Sequence, residues 1–140
     1  MRAFKPLFAG CVPIVVAFLL ISCATCPTVR ECGVKRYGQV LRVKPESFEE
    51  YKRYHADVWP DVLEMIRQCN IRNYSIFHKD GYLFAYFEYV GDDFDADMAK
   101  MAADPKTQEW WEIMMPMQEP LETRAEGEWW ANMQEVFHTD

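Results

Sequence analysis

The chain has 140 residues, half of them hydrophobic, and a formal net charge of −7 at pH 7. That length fits one domain. The acidic balance, with no basic stripe interleaved with aromatics, repels phosphate and excludes nucleic acid as a partner.

At the amino end Arg2 and Lys5 precede an almost wholly apolar run over residues 7–21, followed by Leu20-Ile21-Ser22-Cys23. A basic start, an apolar centre and small residues at the exit describe a secretory signal. The run is shorter than the roughly 20 residues of a bilayer span. A cysteine directly after Leu-Ile-Ser resembles a bacterial lipobox, so residues 1–22 are expected to be a lipoprotein signal peptide with Cys23 as the lipidation site. An uncleaved anchor is the other reading. The expected location is lipid-anchored, in the bacterial periplasm or at the cell surface. Losing residues 1–22 would move the formal charge from −7 to −9, since only Arg2 and Lys5 are charged there.

Residues 23–33 show no period and form a tether. Cys26 and Cys32 have a spacing open to pairing in an oxidising compartment, but sequence does not fix connectivity. Cys23-x-x-Cys26 has metal-like spacing, yet its first sulfur would be a thioether, so no metal site is expected. Cys69 follows a helical run and reads as a small buried hydrophobe.

The folded domain is expected over residues 34–140. Val34 to Val43 alternates imperfectly and predicts a strand. Pro45-Glu46-Ser47 opens a helix, since proline and acidic residues suit a first turn. Phe48, Tyr51, His55, Trp59, Val62, Leu63 and Ile66 then repeat at three to four residues and give it one apolar face. Pro60 removes a backbone donor inside that run, so the helix should kink or restart there. Ile71–His78 and Tyr82–Tyr89 are strands joined by Lys79-Asp80-Gly81, a hairpin signal. A second helical stretch begins at residues 92–95, restarts at Pro105 and ends near Pro116. After a polar loop, residues 130–137 supply a last strand. This order is the α+β, ferredoxin-like βαββαβ arrangement, an antiparallel sheet with helices on one face. Its other face should be closed by a second subunit.

No phosphate loop, nucleophile elbow or metal-spaced His/Glu pair is present. What stands out is an aromatic set around one histidine. Tyr51, His55 and Trp59, spaced by four, are expected to line one side of the first helix. Tyr74 lies on the next strand, and Trp110 and Trp111 on the second helical layer. Histidine exchanges protons near neutrality. Aromatic faces offer sugars a flat apolar surface, while Tyr and Trp keep a polar end. Taken singly, each residue has a plainer reading: Tyr51 and Trp59 as core, His55 as a satisfied structural group. Adjacent tryptophans on a helix point to different sides, so at most one of Trp110 and Trp111 is core. Trp129 and Trp130 form a similar pair at a strand entrance, where one of them reads as a cap on the sheet, and His78 and His138 read as solvated.

Glu49-Glu50-Tyr51 with His55, Trp59-Pro60, Asn73-Tyr74-Ser75-Ile76, Trp110-Trp111 and Gln134-Glu135-Val136-Phe137 together resemble the L-rhamnose mutarotase family, from about Val34 to His138. The resemblance implies a homodimeric α/β barrel with His55 as proton donor and Tyr51, Tyr74, Trp110 and Trp111 binding the sugar. It implies a monosaccharide substrate, L-rhamnose or a related 6-deoxyhexose such as L-fucose, and no cofactor or metal. Two other readings carry expectations of their own. A non-catalytic sugar-binding lipoprotein would use the same pocket without exchange, and a small oxygenase or haem-handling protein would share the barrel by fold analogy alone.

Overall fold

The computed structural model describes residues 33–139. The segment expected to be a signal peptide, the expected tether and Cys23, Cys26 and Cys32 lie outside the described residues, apart from Gly33 at the end of the tether. Strand β1 (Lys35–Val43) runs into a 3-10 turn at Pro45–Ser47, helix α1 (Phe48–Ala56) and helix α2 (Pro60–Gln68). Strands β2 (Ile71–Lys79) and β3 (Tyr82–Tyr89) form the hairpin, with Asp80 at φ 51° and Gly81 at φ 81° making the turn. Left-handed values at both central positions suit a two-residue hairpin loop. Helices α3 (Phe94–Ala103) and α4 (Pro105–Met114) follow, then a 3-10 turn at Met115–Met117 and the short strands β4 (Gln118–Glu119) and β5 (Ala131–Met133).

Both expected helices are split at a proline, each for a local reason. Trp59 is extended, the conformation a residue before proline prefers. Pro60 and Pro105 each occupy a first helical turn, where the missing N–H costs nothing. Asp93 and Asp104 cap α3 and α4, accepting the Ala96 and Thr107 N–H at 3.0 and 2.8 Å. Trp59 therefore stands in the link between α1 and α2, not on the helix face that was expected to carry it.

The sheet is antiparallel, in the order β2-β3-β1-β4, with β5 also pairing β1, and it curls into half a barrel. The ferredoxin-like α+β class holds. The last strand is shorter than expected: pairing stops at Met133, and beyond it the Arg36 guanidinium grips the Glu135 carboxylate with two bonds of 2.8 and 3.0 Å. Strand alternation divides the sheet into two faces. Leu41, Val43, Leu83, Ala85, Phe87 and Tyr89 face the helices and are buried, and several of them pack with Tyr51, Val62, Trp110, Met114 and Met117. Cys69 is buried and free, as a small hydrophobe would be.

Candidate active site

Helix α1 brings the first pair together. Residues four apart share a helix face, and the Tyr51 and His55 rings stack with centroids 4.1 Å apart. His55 Nδ1 lies 2.9 Å from the Tyr51 carbonyl oxygen. A carbonyl oxygen only accepts, so in the neutral ring Nδ1 holds the proton and Nε2 keeps a lone pair. Burial lowers the His55 pKa below its ordinary value, and the bond to the carbonyl partly opposes this. The resting imidazole at neutral pH is thus uncharged, with one nitrogen available to accept a proton.

Helix α4 supplies the hub. Trp110, almost fully buried, takes His55 and Trp59 edge to face at 5.4 Å each and Tyr54 at 6.0 Å. Such pairs add about 0.5–1.5 kcal/mol beyond the area they bury. Trp111 is half-buried against the same core but points elsewhere on α4.

Tyr74 reaches the cluster through a backbone irregularity. The β2–β3 register shifts between Arg72 and Ser75, and Asn73 sits at φ 50°. Strict alternation from Ile71, which is buried opposite Tyr89, would send Tyr74 to the outer face; the bulge turns it inward. Its ring meets Phe87 edge-on at 5.6 Å. The residue as a whole stays 40% exposed, while desolvation at the hydroxyl pushes its pKa up to about 12. The Tyr51 pKa is raised as well, by burial first and by Tyr74 second, with a hydrogen bond from Gln118 opposing both.

The sequence reading did not pick out Gln118. It sits on β4 opposite Val43, which puts it on the helix-facing side, and its Oε1 accepts from Trp129 Nε1 at 2.7 Å. Trp129 belongs to this site margin as well as to the sheet edge. The signal available in sequence was thin: a polar residue between Met117 and Pro120 in a segment that otherwise read as loop. Two surface depressions border the cluster. One is lined by Met115, Glu122, Arg124 and Trp129, the other by Trp59, Asp61, Lys106 and Glu109, and His55 lines neither. No group of three or more His, Cys, Asp or Glu suited to a metal occurs among the described residues.

Comparison with known proteins places this arrangement. The sequence pattern of the L-rhamnose mutarotase family matches residues 36–139. The L-rhamnose mutarotase of Bacillus subtilis is 33% identical over 110 residues, covering 76% of this chain and 100% of that protein. That of Lactiplantibacillus plantarum is 34% identical over 107 residues, covering 75% and 98%. The chain belongs to the L-rhamnose mutarotase family. It is an isomerase acting on carbohydrates.

Two solved structures share the fold. The L-rhamnose mutarotase of Formosa agariphila superposes with a TM-score of 0.59 at 20% identity, covering 76% of this chain and 99% of that one. Tetracenomycin F2 cyclase, a type-II polyketide cyclase of Streptomyces glaucescens, does so with 0.56 at 18%. One expectation is corrected by the family. The lipid-anchored location in the periplasm or at the cell surface rested on residues 1–23 alone. The mutarotases align over 98–100% of their own length with this chain's later part, and they overturn it. No helix among the described residues is long and apolar enough to cross a membrane. The oxygenase or haem-handling reading, which rested on fold analogy, gives way to the same relatives.

Proposed function

We propose that this chain interconverts the α and β anomers of L-rhamnose by acid/base ring opening, with His55 handling the proton. The observation that carries the reading is His55 itself: stacked on Tyr51, edged by Trp110, and with Nδ1 committed to the Tyr51 carbonyl so that Nε2 is the working nitrogen. Because the neutral ring is the resting form, Nε2 first accepts the proton of the anomeric hydroxyl. The bond between the ring oxygen and C1 breaks, its electron pair stays on the ring oxygen, and that oxygen gains a proton from a neighbouring hydroxyl or water. The C1–C2 bond of the aldehyde rotates, and reclosure returns the proton from the imidazolium, so the same residue is the proton donor on the way back. Only protons move between protein and sugar. Tyr51, Tyr74, Trp59, Trp110 and Trp111 hold the sugar, the tryptophans offering apolar faces and the tyrosines their hydroxyls.

We further propose that the working form is a homodimer closed over the outer face of the sheet. Phe77 is 62% exposed there, and Tyr82, Phe84 and Met133 are also open to solvent on strands whose alternation puts them on one side. A contiguous apolar patch of that kind marks an association surface. A second copy offers the same patch in return, as an isologous contact requires.

Saturation-difference NMR on L-rhamnose, with L-fucose beside it, tests the activity. Wild-type protein should accelerate anomer exchange of L-rhamnose, and His55→Ala should lose on the order of 10²–10⁴-fold. Sugar binding with no faster exchange in the wild type would sink the proposal, and faster exchange of L-fucose alone would move its substrate.

A further inference from the structure

Gln118 is a buried polar side chain that the reaction above leaves without a task. It is only 8% exposed. Its amide orientation is decided by its neighbour. Trp129 Nε1 carries a hydrogen and no lone pair, so the Gln118 atom 2.7 Å away must be the oxygen. The amide nitrogen is then the end of Gln118 left to act on the Tyr51 hydroxyl, whose pKa Gln118 lowers against the burial that raises it. An amide N–H₂ only donates, so the Tyr51 oxygen accepts there and its own hydrogen must point elsewhere.

Trp129 is itself held. Its loop is closed by Arg124, which donates to the Glu128 carbonyl and the Leu121 carbonyl at 2.9 Å each. Glu128 takes the Ala125 N–H at 3.1 Å and the Asn132 amide at 2.6 Å. The chain of contacts runs from this loop through Trp129 and Gln118 to Tyr51, and Tyr51 stacks on His55.

We propose that Gln118 is a positioning residue: locked by Trp129, it donates to the Tyr51 hydroxyl and turns the hydroxyl's own proton toward the sugar. The inference rests on the mutarotase reading and assigns the group that reading left open. His55 Nε2 removes the proton of the anomeric hydroxyl, and Tyr51 delivers its proton to the ring oxygen as that oxygen receives the electron pair of the breaking bond to C1. The sugar leaves this step as a neutral aldehyde, and the protein holds an imidazolium and a tyrosinate until reclosure reverses both transfers. The Gln118 amide is then a donor to a developing oxyanion, the situation in which a fixed N–H is worth most. The opposing effect of Gln118 on the raised Tyr51 pKa has the same direction.

The test is the pH dependence of kcat and KM for L-rhamnose exchange in the full chain, between about pH 5 and pH 8, for wild type, Gln118→Glu and Gln118→Met, with the uncatalysed rate subtracted. A carboxylate at position 118 accepts from both Trp129 and Tyr51, which turns the Tyr51 proton away from the sugar. A protonated carboxyl donates again. Gln118→Glu should therefore lose on the order of 10- to 100-fold in kcat at neutral pH, with KM little changed, and recover relative to wild type on acidification. The titrating and charged groups around this carboxyl are Tyr51, with Tyr74 and His55 beside it, Arg42 and Lys44 on and after β1, Glu119 on β4 and Glu128 in the Trp129 loop; the wild-type profile contains all of them, so the recovery is read as a ratio to it. Wild-type kcat in Gln118→Glu throughout, or a loss that does not recover in acid, would overturn the proposal. Should Gln118→Glu fail to fold, Gln118→Met keeps the shape without the donor: a kcat loss at constant KM supports the role, and wild-type kcat refutes it. No acceleration by the wild type would take down the mutarotase reading, and this proposal with it.

Discussion

The two faces of one sheet have opposite fates. On the helix side, the large side chains of β1 and β3 find partners within the chain: Leu41, Leu83 and Tyr89 are fully buried, and the aromatic rings of α1 and α4 interlock above them. On the outer side, Phe77 and Phe84 point into solvent from neighbouring strands that carry them in register. Both faces are rich in aromatics, so composition does not separate them. What separates them is topology: both helical layers return to the same side, and nothing in the described residues returns to the other. The covered face can therefore dry out a histidine and the tyrosines around it, whereas the open face offers apolar area bordered by the Arg36–Glu135 ion pair.

The largest effect should come from removing the hub of the covered face. Trp110→Ala deletes a ring that meets His55, Tyr54 and Trp59. Loss of a buried Trp costs about 3–5 kcal/mol, because the surroundings collapse only partly into the cavity. Denaturant unfolding should show that loss at an unchanged m-value. A variant within about 1 kcal/mol of wild type would mean that the other rings close the gap and that Trp110 is no hub.

A charge on the open face should act the other way round. Phe77→Asp removes no buried contact within the protomer, so the stability of an isolated protomer should change by less than about 0.5 kcal/mol. If the proposed dimer forms over this face, sedimentation or light scattering should nevertheless show it replaced by monomer in the variant, since a desolvated carboxylate at a close-packed contact is costly. A Phe77→Asp protein that stays dimeric would remove the outer face as the contact surface.

This contrast also marks what the sequence could deliver. Strand alternation, the Asp80-Gly81 turn and the two prolines made both hairpin and helices legible, because each is a local signal with one physical cause. His55 over Tyr51 was legible from the four-residue spacing alone. Trp59 was misplaced for the same reason, since a periodic pattern reads on through Pro60 while the helix stops at Ala56. Tyr74 belonged to the aromatic set and took its sugar-binding role from the resemblance, but no alternation rule would have aimed it inward, because the bulge beside Asn73 is a pairing event with β3. Gln118 stayed invisible, and so did the role of Trp129 as its partner. Their bond joins a two-residue strand to a loop, and only the fold brings those two segments together.

The smallest effect, and the one that most sharpens the contrast, is the pH response of stability at the covered face. Burial lowers the His55 pKa in the folded chain, while the unfolded chain keeps the ordinary value near 6.5. Above that value both states hold a neutral ring and folding is indifferent to it. As pH falls through 6.5 the unfolded state gains the proton more readily than the folded one, so stability falls with it. His55→Asn keeps a side-chain donor near the Tyr51 carbonyl and titrates nothing. The stability difference between wild type and His55→Asn should therefore hold steady above neutrality and shift against the wild type in acid, as thermal unfolding at a series of pH values would reveal. A difference that moves in the wild type's favour on acidification would mean that His55 gains a proton on folding, and His55 would then enter the reaction as an acid from the start.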